Sequence, residues 1–541
     1  NPSDALAIFE IDRNTFYIQD DYMLSDRLNL TFGLRYDELS TSDAPTEIPK
    51  FVEVYGFSNT ATLDGIDLLQ PRFSADLAID DVSSLNFSMG RYMGRNPMVW
   101  VSNSYNYGAN PLFNERTDRN CSGLAVQGSL DPCVVASFDN FDASEIMGDM
   151  DFIAPDLEAP FDDRYSLVYK TLVDMTPIGL GPNWDLTASY IRINKRKEFV
   201  TRKISGVGAP NGFYPGTPSE RYPDGKVVHQ DSGYYGGIYP NNYVFGLYTQ
   251  GAGSKAENIT LELAKYFDND IDLYFAYNGN DATELSPLTS SRAASNTPNN
   301  VWTGNQFNYP VSKRSIYETE HKFVLSLIIN RNHFANLNTS YGFTFTRKSG
   351  NPYSWTFDAG RSEPWDGYRN NSFGLEYDLN RRNSGLLYIP TADDPNVCYG
   401  SCENPDDAFK AQFLDVIAAL GLSDYAGSVV PAGTHTHNWV TTSTFQIRQE
   451  LPGLYEGHSG EIYFTMNNFL NFLNDEWGRV DYGMYNGIRP LVRFTTTDDL
   501  SKYIYTGFSS DSFDPDNPDG AWRTSGYQSV WRARIGFKYR F

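Results

Sequence analysis

The chain has 541 residues, 43 of them basic and 67 acidic, for a formal net charge of −24; that balance argues against a nucleic-acid partner, which needs a basic face. Mean hydropathy is −0.46, and no stretch approaches the ~18 apolar residues of a membrane helix, which excludes a helical membrane protein. With 37 Tyr and 35 Phe but no long apolar run, two all-β classes remain: an outer-membrane barrel, whose apolar residues are diluted by alternation, and a soluble propeller or solenoid.

The opening "NPSDALAIFEID" lacks the basic start and apolar core of a signal peptide. An exported protein needs one, so the sequence reads as mature or as a fragment, and residues 1–13 form a lead-in. Period-two alternation then begins. "LNLTFGLRYD" sets Leu28, Leu30, Phe32, Leu34 and Tyr36 against Asn29, Thr31, Gly33, Arg35 and Asp37. "RFSADLAID" and "IDLYFAYN" repeat the pattern, and "HKFVLSLII" and "LNTSYGFTF" follow it more loosely. A strand of about 9–11 residues with one apolar face can cross a bilayer within a barrel, its other face towards a polar lumen.

Fifteen strands are expected, over 14–24, 28–38, 70–80, 84–94, 162–175, 184–204, 245–267, 271–285, 314–329, 336–348, 440–451, 460–471, 480–497, 501–507 and 527–541. Short links such as "SDR" (25–27) and "DND" (268–270) alternate with long ones, including 95–161 and 349–439. Outer-membrane barrels have short periplasmic turns and long extracellular loops, whereas a propeller would not alternate over such a range. Residues 14–541 therefore read as a transmembrane antiparallel β-barrel portion. An odd count starting downward predicts an incomplete barrel, finished by upstream strands or by a second chain. Within 349–439, "PDDAFKAQFLDVIAALGL" (405–422) predicts a short amphipathic helix, with Phe409, Phe413, Ile417 and Leu420 on one face.

Some stretches resemble a known family. "YIQDDYMLSDRLNLTFGLRYDE" is similar to the paired-strand signature of TonB-dependent outer-membrane receptors. "TRKSGNPYSWTF", "LLYIPTADDPNV", "FTMNNFLNFLNDEWGRV" and the closing "WRARIGFKYRF" resemble the Oar-like subgroup of those receptors. The resemblance runs from about residue 14 to the end and implies a barrel of 22 strands closed by an N-terminal plug. The fifteen strands would be its last fifteen, with the plug and the TonB-binding segment absent. It implies a bacterial outer-membrane location, contact with outer-membrane lipid, energy from the TonB complex through the missing plug, and transport of a large substrate: peptide or protein, glycan, or siderophore-like. Trp531, Ile535, Gly536, Phe537, Tyr539 and Phe541 on the closing strand resemble the signal read by the barrel-assembly machine. A passive porin-like barrel or scaffold subunit, and a surface adhesin, are the alternative functions.

No catalytic constellation emerges, so the chain reads as a non-enzyme. Cys121, Cys133, Cys398 and Cys402 fall in two close pairs within long polar segments, which favours local disulfides Cys121–Cys133 and Cys398–Cys402 over a metal site. "THTHNW" places His435 and His437 two apart with no third ligand, in what reads as a solvated loop. In "DSFDPDNPDG", Asp514, Asp516 and Asp519 are hard oxygen donors that would suit calcium; a plain acidic loop is the alternative, and no other cofactor is expected. Tyr105, Tyr107, Tyr234, Tyr235, Trp302, Tyr353, Trp355, Trp365 and Trp439 lie in predicted extracellular segments, where together they would line a substrate mouth; for any single ring the alternative is loop–loop packing. Tyr36, Tyr277, Trp184, Trp531 and Phe541 near strand ends would form an aromatic girdle.

Overall fold

The computed structural model describes residues 7–94, 98–106, 150–204, 222–226, 244–358, 385–482 and 487–541, apart from positions 252, 292, 294, 295, 297–299, 302, 305–307, 335, 498, 510–512 and 519–522. The chain is all-β and predominantly antiparallel. Thirteen strands follow one another in chain order across the main sheet. They are β1 (Asp12–Ser25), β2 (Leu28–Ser40), β3 (Asp67–Ala78), β4 (Ser84–Met93), β5 (Phe161–Met175), β6 (Gly181–Lys203), β7 (Lys255–Phe267), β8 (Ile271–Glu284), β9 (His321–Phe334), β10 (Leu337–Lys348), β11 (Val440–Pro452), β12 (Ser459–Asn467) and β13 (Arg532–Arg540). Along this path each pairs with its sequence neighbours, and among the described residues β1 and β13 each keep one unpaired edge.

Register explains the alternation in the sequence. Residues directly opposite each other in an antiparallel ladder share a face. From β2 a row runs Leu28, Leu77, Leu85, Tyr169, Ala188, Leu261, Tyr277 and Phe323. Another runs Phe267, Ile271, Ile329, Tyr341, Ile447, Phe464 and Ile535. One face is thus continuously apolar, and its side chains are left uncovered: Phe32 is 49% exposed, Ile259 58% and Ile535 73%. The opposite face carries rows such as Asn29, Asp76, Asn86 and Thr31, Ser74, Ser88, Ser166.

The turns alternate as the link lengths require. Hairpins β1–β2, β3–β4, β5–β6, β7–β8, β9–β10 and β11–β12 are short, and all lie at one edge of the sheet. Asp270 and Asn336 take left-handed φ values of 59° and 61° in two of them, a conformation that Asp and Asn tolerate better than other side chains. The other edge carries the long connections, which fold into cores of their own. One holds Leu39, Leu63, Val101, Ile153, Phe199 and Leu247. A second, larger core holds Trp355, Phe357, Leu387, Phe413, Leu491, Tyr503 and Tyr505.

The larger core is a platform built on a separate five-stranded sheet, in the order Val397–Tyr399, Tyr503–Phe508, Ile488–Thr496, Pro352–Asp358, His435–Thr436. This corrects the strand count. The expected strands 480–497 and 501–507 do not belong to the main sheet; Ile488 to Val492 are buried throughout, as in a strand covered on both faces rather than one. The expected strand 245–267 is two strands. Val244–Gly251 and β7 both pair with β6, whose 23 residues extend past the sheet, and the break falls at Gly251–Ser254. Strands on the consecutive path of the main sheet number thirteen rather than fifteen among the described residues, and three short strands, Met150–Ile153, Val244–Gly251 and Lys313–Arg314, pair beside it. The predicted helix is present as Asp407–Ala419, capped by Asp406 accepting from Phe409 N, with Phe413, Val416 and Ile417 buried on the platform. Cys398 and Cys402 form the expected disulfide beside it.

Candidate functional site

The polar face of the main sheet is lined by paired guanidinium and carboxylate groups. Asp37 near the long-loop end of β2 is fully buried; it accepts from Arg13 Nη2 at 2.9 Å, Arg35 Nε at 2.9 Å and Thr15 Oγ1 at 2.6 Å, and also from Gln70. Next to it, Arg72 and Arg164 lie over the Tyr92 ring, at 4.7 and 4.8 Å from its centroid. Arg164 is held by Asp162 at 2.6 Å. On the closing strand, Arg532, Arg534 and Lys538 alternate opposite Asn467, Thr465 and Glu461. A face of this kind is wettable, and its charges are held in fixed geometry by their partners.

The platform contains a second cluster. Trp355 Nε1 donates to His435 Nδ1 at 2.6 Å. The Arg489 guanidinium lies 4.8 Å from the Trp355 ring centroid and donates through Nη1 to Tyr353 Oη at 3.2 Å. The His437 ring packs on Tyr353 at 4.8 Å. Burial, with Arg489 adding to it, pulls the His437 imidazole down to about 4 from its ordinary 6.5, so it is neutral at pH 7. His435 and His437 are thus half-buried packing residues, which corrects the solvated-loop reading. Neither Arg489 nor this pairing was visible in the sequence; the only signal was the Trp-x-Phe stretch followed, far along the chain, by His-x-His.

A buried turn at Tyr222–Lys226 docks on the same core. Lys226 pairs with Asp224, and burial lowers the lysine despite that carboxylate. Burial likewise raises the phenols of Tyr503 and Tyr505 well above their ordinary value. Tyr505 Oη donates to the Tyr388 carbonyl at 2.7 Å. At the sheet margin, burial pushes the Lys313 ammonium down to about 8; its Nζ donates to the Leu285 carbonyl at 2.9 Å and to Asn300.

The rings expected to line a mouth separate into packing roles. Tyr353 and Trp355 are buried, at 6% and 0% exposure, and belong to the platform core. Tyr105 stacks on Phe9 at 4.6 Å and donates to the Asp43 carbonyl at 2.9 Å. Trp439 packs against His321 and Phe323 with Arg347 at 5.3 Å, on the apolar side of the main sheet at its long-loop margin. For these four, loop packing or the outer margin replaces the mouth. Tyr107, Tyr234, Tyr235, Trp302, Trp365, Cys121, Cys133 and Asp519 lie outside the described residues. Of the girdle residues, Trp184 is buried under a short turn, donating to the Leu180 carbonyl at 3.1 Å, while Trp531 and Phe541 are exposed. Asp514 Oδ1 accepts from Asp516 N at 3.0 Å and so closes a local turn. Among the described residues, no group of three His, Cys, Asp or Glu is placed to hold a metal.

The closing strand carries Ile535, Phe537 and Phe541 outward and Gly536 inward. Tyr463 on β12 lies directly over Gly536, where a methyl group would overlap its ring. An added methyl here would force the Tyr463 ring to move.

No family model and no curated protein matches the sequence. Solved structures similar to it include the outer membrane transporter YddB from Escherichia coli, with 12% identity and a TM-score of 0.43, covering 92% of this chain and 44% of that one. A mutant of the ferric enterobactin receptor PfeA from Pseudomonas aeruginosa is similar at 10% identity and a TM-score of 0.40, covering 91% and 43%. The FrpB iron transporter from Neisseria meningitidis is similar at 10% identity and a TM-score of 0.36, covering 85% and 41%. The chain spans less than half the length of each of these.

Proposed function

We propose that residues 14–541 are the barrel portion of a bacterial outer-membrane receptor of the TonB-dependent kind, of the Oar-like subgroup, that moves a large substrate across the outer membrane. One observation carries the membrane part of this reading. Apolar rows run through the main sheet on one face and are largely uncovered, apart from the patch on β10 and β11 beneath Phe469, opposite a polar face with paired charges. In water such an area would be covered; in a bilayer it is the lipid-facing surface. The short turns then face the periplasm, and the platform and its neighbouring loop core face outward.

The open edges of β1 and β13 support closure by further strands, from this protein or from a second chain, because unpaired backbone groups cannot face lipid. The receptor reading also rests on the sequence resemblance of the β1–β2 hairpin and the closing strand. Energy would reach the chain through a plug seated against its polar face, whose guanidinium groups at Arg35, Arg72 and Arg164 offer hydrogen-bond donors. The test is growth or uptake in a strain with and without an intact TonB complex. Transport that persists at full rate without TonB overturns the receptor reading in favour of a passive barrel, while envelope fractionation tests the membrane location separately.

A further inference from the structure

The segment "NNFLNFLNDEWG" follows β12, and transport does not explain it. After Asn467 the chain does not rise into the loops; it turns back over the apolar face of the sheet. Asn468 takes a left-handed conformation, φ 53°, and starts a single helical turn over Phe469–Leu473. Phe469 packs on Phe343 and Phe445, at 6.4 and 5.5 Å, both of which lie on the apolar face of β10 and β11. Ser443, on that same face, is only 3% exposed because the turn covers it, and its Oγ accepts from Leu470 N at 2.9 Å. The turn therefore occupies the position where, in the membrane reading, lipid would otherwise sit.

Most of its side-chain amide groups are met from inside, although Asn468 Oδ1 is buried without a partner among the described residues. Asn468 Nδ2 donates to the Gly478 carbonyl at 2.9 Å, and Asn471 Nδ2 donates to the Asp475 and Trp477 carbonyls at 3.0 and 2.8 Å. Asn471 Oδ1 accepts from Trp531 N at 3.2 Å, which ties the excursion to the foot of β13. Asn471 N and Asn474 N donate to the Asn468 and Leu470 carbonyls, both at 3.0 Å. Gly478, at φ 66°, lies against the Asn468 side chain, where no Cβ fits. Irregular backbone is tolerated beside hydrocarbon only when its hydrogen bonds are met internally.

The outer surface of the excursion is amphipathic. Phe472, Leu473 and Trp477 are 51%, 57% and 51% exposed, and Phe472 packs edge-on against exposed Trp531 at 5.3 Å; the exposed charged residues Asp475, Glu476 and Arg479 follow in the same segment. We infer that residues 468–478 form an interfacial wedge that inserts Phe472, Leu473 and Trp477 into the outer leaflet, with the charged residues at headgroup level. The occupant is lipid, because the patch is continuous with the apolar face and the turn already packs on that face. The inference rests on the membrane reading proposed above.

The test places a benzoylphenylalanine photo-crosslinker at Phe472 or Leu473 of the full chain in outer membranes, with Ile259 on the main apolar face and Asp415 on the platform helix as references. Mass spectrometry of the purified, photolysed protein identifies the adducts. Lipid adducts at 472, 473 and 259, with none at 415, are the expected result. Lipid at 259 but none at 472 and 473 overturns the wedge and leaves the barrel reading standing. A protein adduct at 472 or 473 likewise overturns it, making the patch a docking site. No lipid at any position, 259 included, overturns the membrane reading itself.

Discussion

Gly536 shows how much a single position can require. It sits in a strand interior, where glycine weakens the ladder, yet the Tyr463 ring leaves no room for a methyl. Gly536→Ala should cost about 1–3 kcal/mol by overpacking, read as a lower unfolding temperature of the detergent-solubilised protein, and Tyr463→Ser should restore most of it. His437 makes a pH prediction. Its imidazole is depressed to about 4 in the fold and is ordinary near 6.5 when unfolded, so its stabilising contribution is complete above pH 6.5 and is lost as pH falls towards 4. The partly exposed ring limits the effect to on the order of 1–2 kcal/mol. The platform should melt earlier at pH 4.5 than at pH 7, and His437→Gln should flatten that difference. At this scale the sequence was informative about alternation and poor about contacts. Leu30, Phe32 and Leu34 could be assigned a face from period two alone, whereas the pairing of Trp355 with His435, far apart in the chain, leaves no periodic trace.

Among the elements, the platform is the one that local reasoning misread. Ile488–Thr496 and Tyr503–Phe508 have strand composition and plausible length, so pattern alone assigns them to the main sheet. The continuous burial of Ile488 to Val492, rather than alternation, marks a strand that pairs elsewhere. Pro352–Asp358 pairs parallel to Ile488–Thr496, a long-range contact that no hairpin rule anticipates. The helix Asp407–Ala419 was legible because its 3.6-residue period and Asp406 cap are local. Phe413 is fully buried in the platform core, so Phe413→Ala should cost about 3–5 kcal/mol there. Protease nicking confined to 385–439 and 487–509, with β11, β12 and the rest of the main sheet intact, is the expected readout. Cys398→Ser opens a five-residue loop and should cost on the order of 2 kcal/mol of platform stability in the chain-entropy view. A drop in platform melting temperature without a change in the main-sheet transition would confirm that the link acts locally.

On the scale of the whole molecule, the meander and the side of each turn were legible, because link lengths and alternation are both written along the chain. The number of main-sheet strands was not, since strand-like segments in long connections look the same as spanning ones until burial is known. The exposed Phe541, at 96%, follows a closing strand with one apolar and one basic face. If that end is read by the assembly machinery, deleting Phe541 should leave most of the protein in the periplasmic fraction; normal outer-membrane levels of the truncation would sink that role.

The order of the strands has one further consequence, for the path of folding. Every pairing along the main sheet joins sequence neighbours, so the sheet can grow one hairpin at a time, with each step closing only the link it spans. The platform cannot grow this way, because its core joins Tyr222 to Leu387 and Phe513. Its parallel contact between Pro352–Asp358 and Ile488–Thr496 also reaches across two intervening main-sheet strands, β11 and β12. The sheet is thus built mainly from contacts near in the chain and the platform from remote ones, which predicts that a chain stalled during assembly shows hydrogen-exchange protection in the early hairpins before the platform.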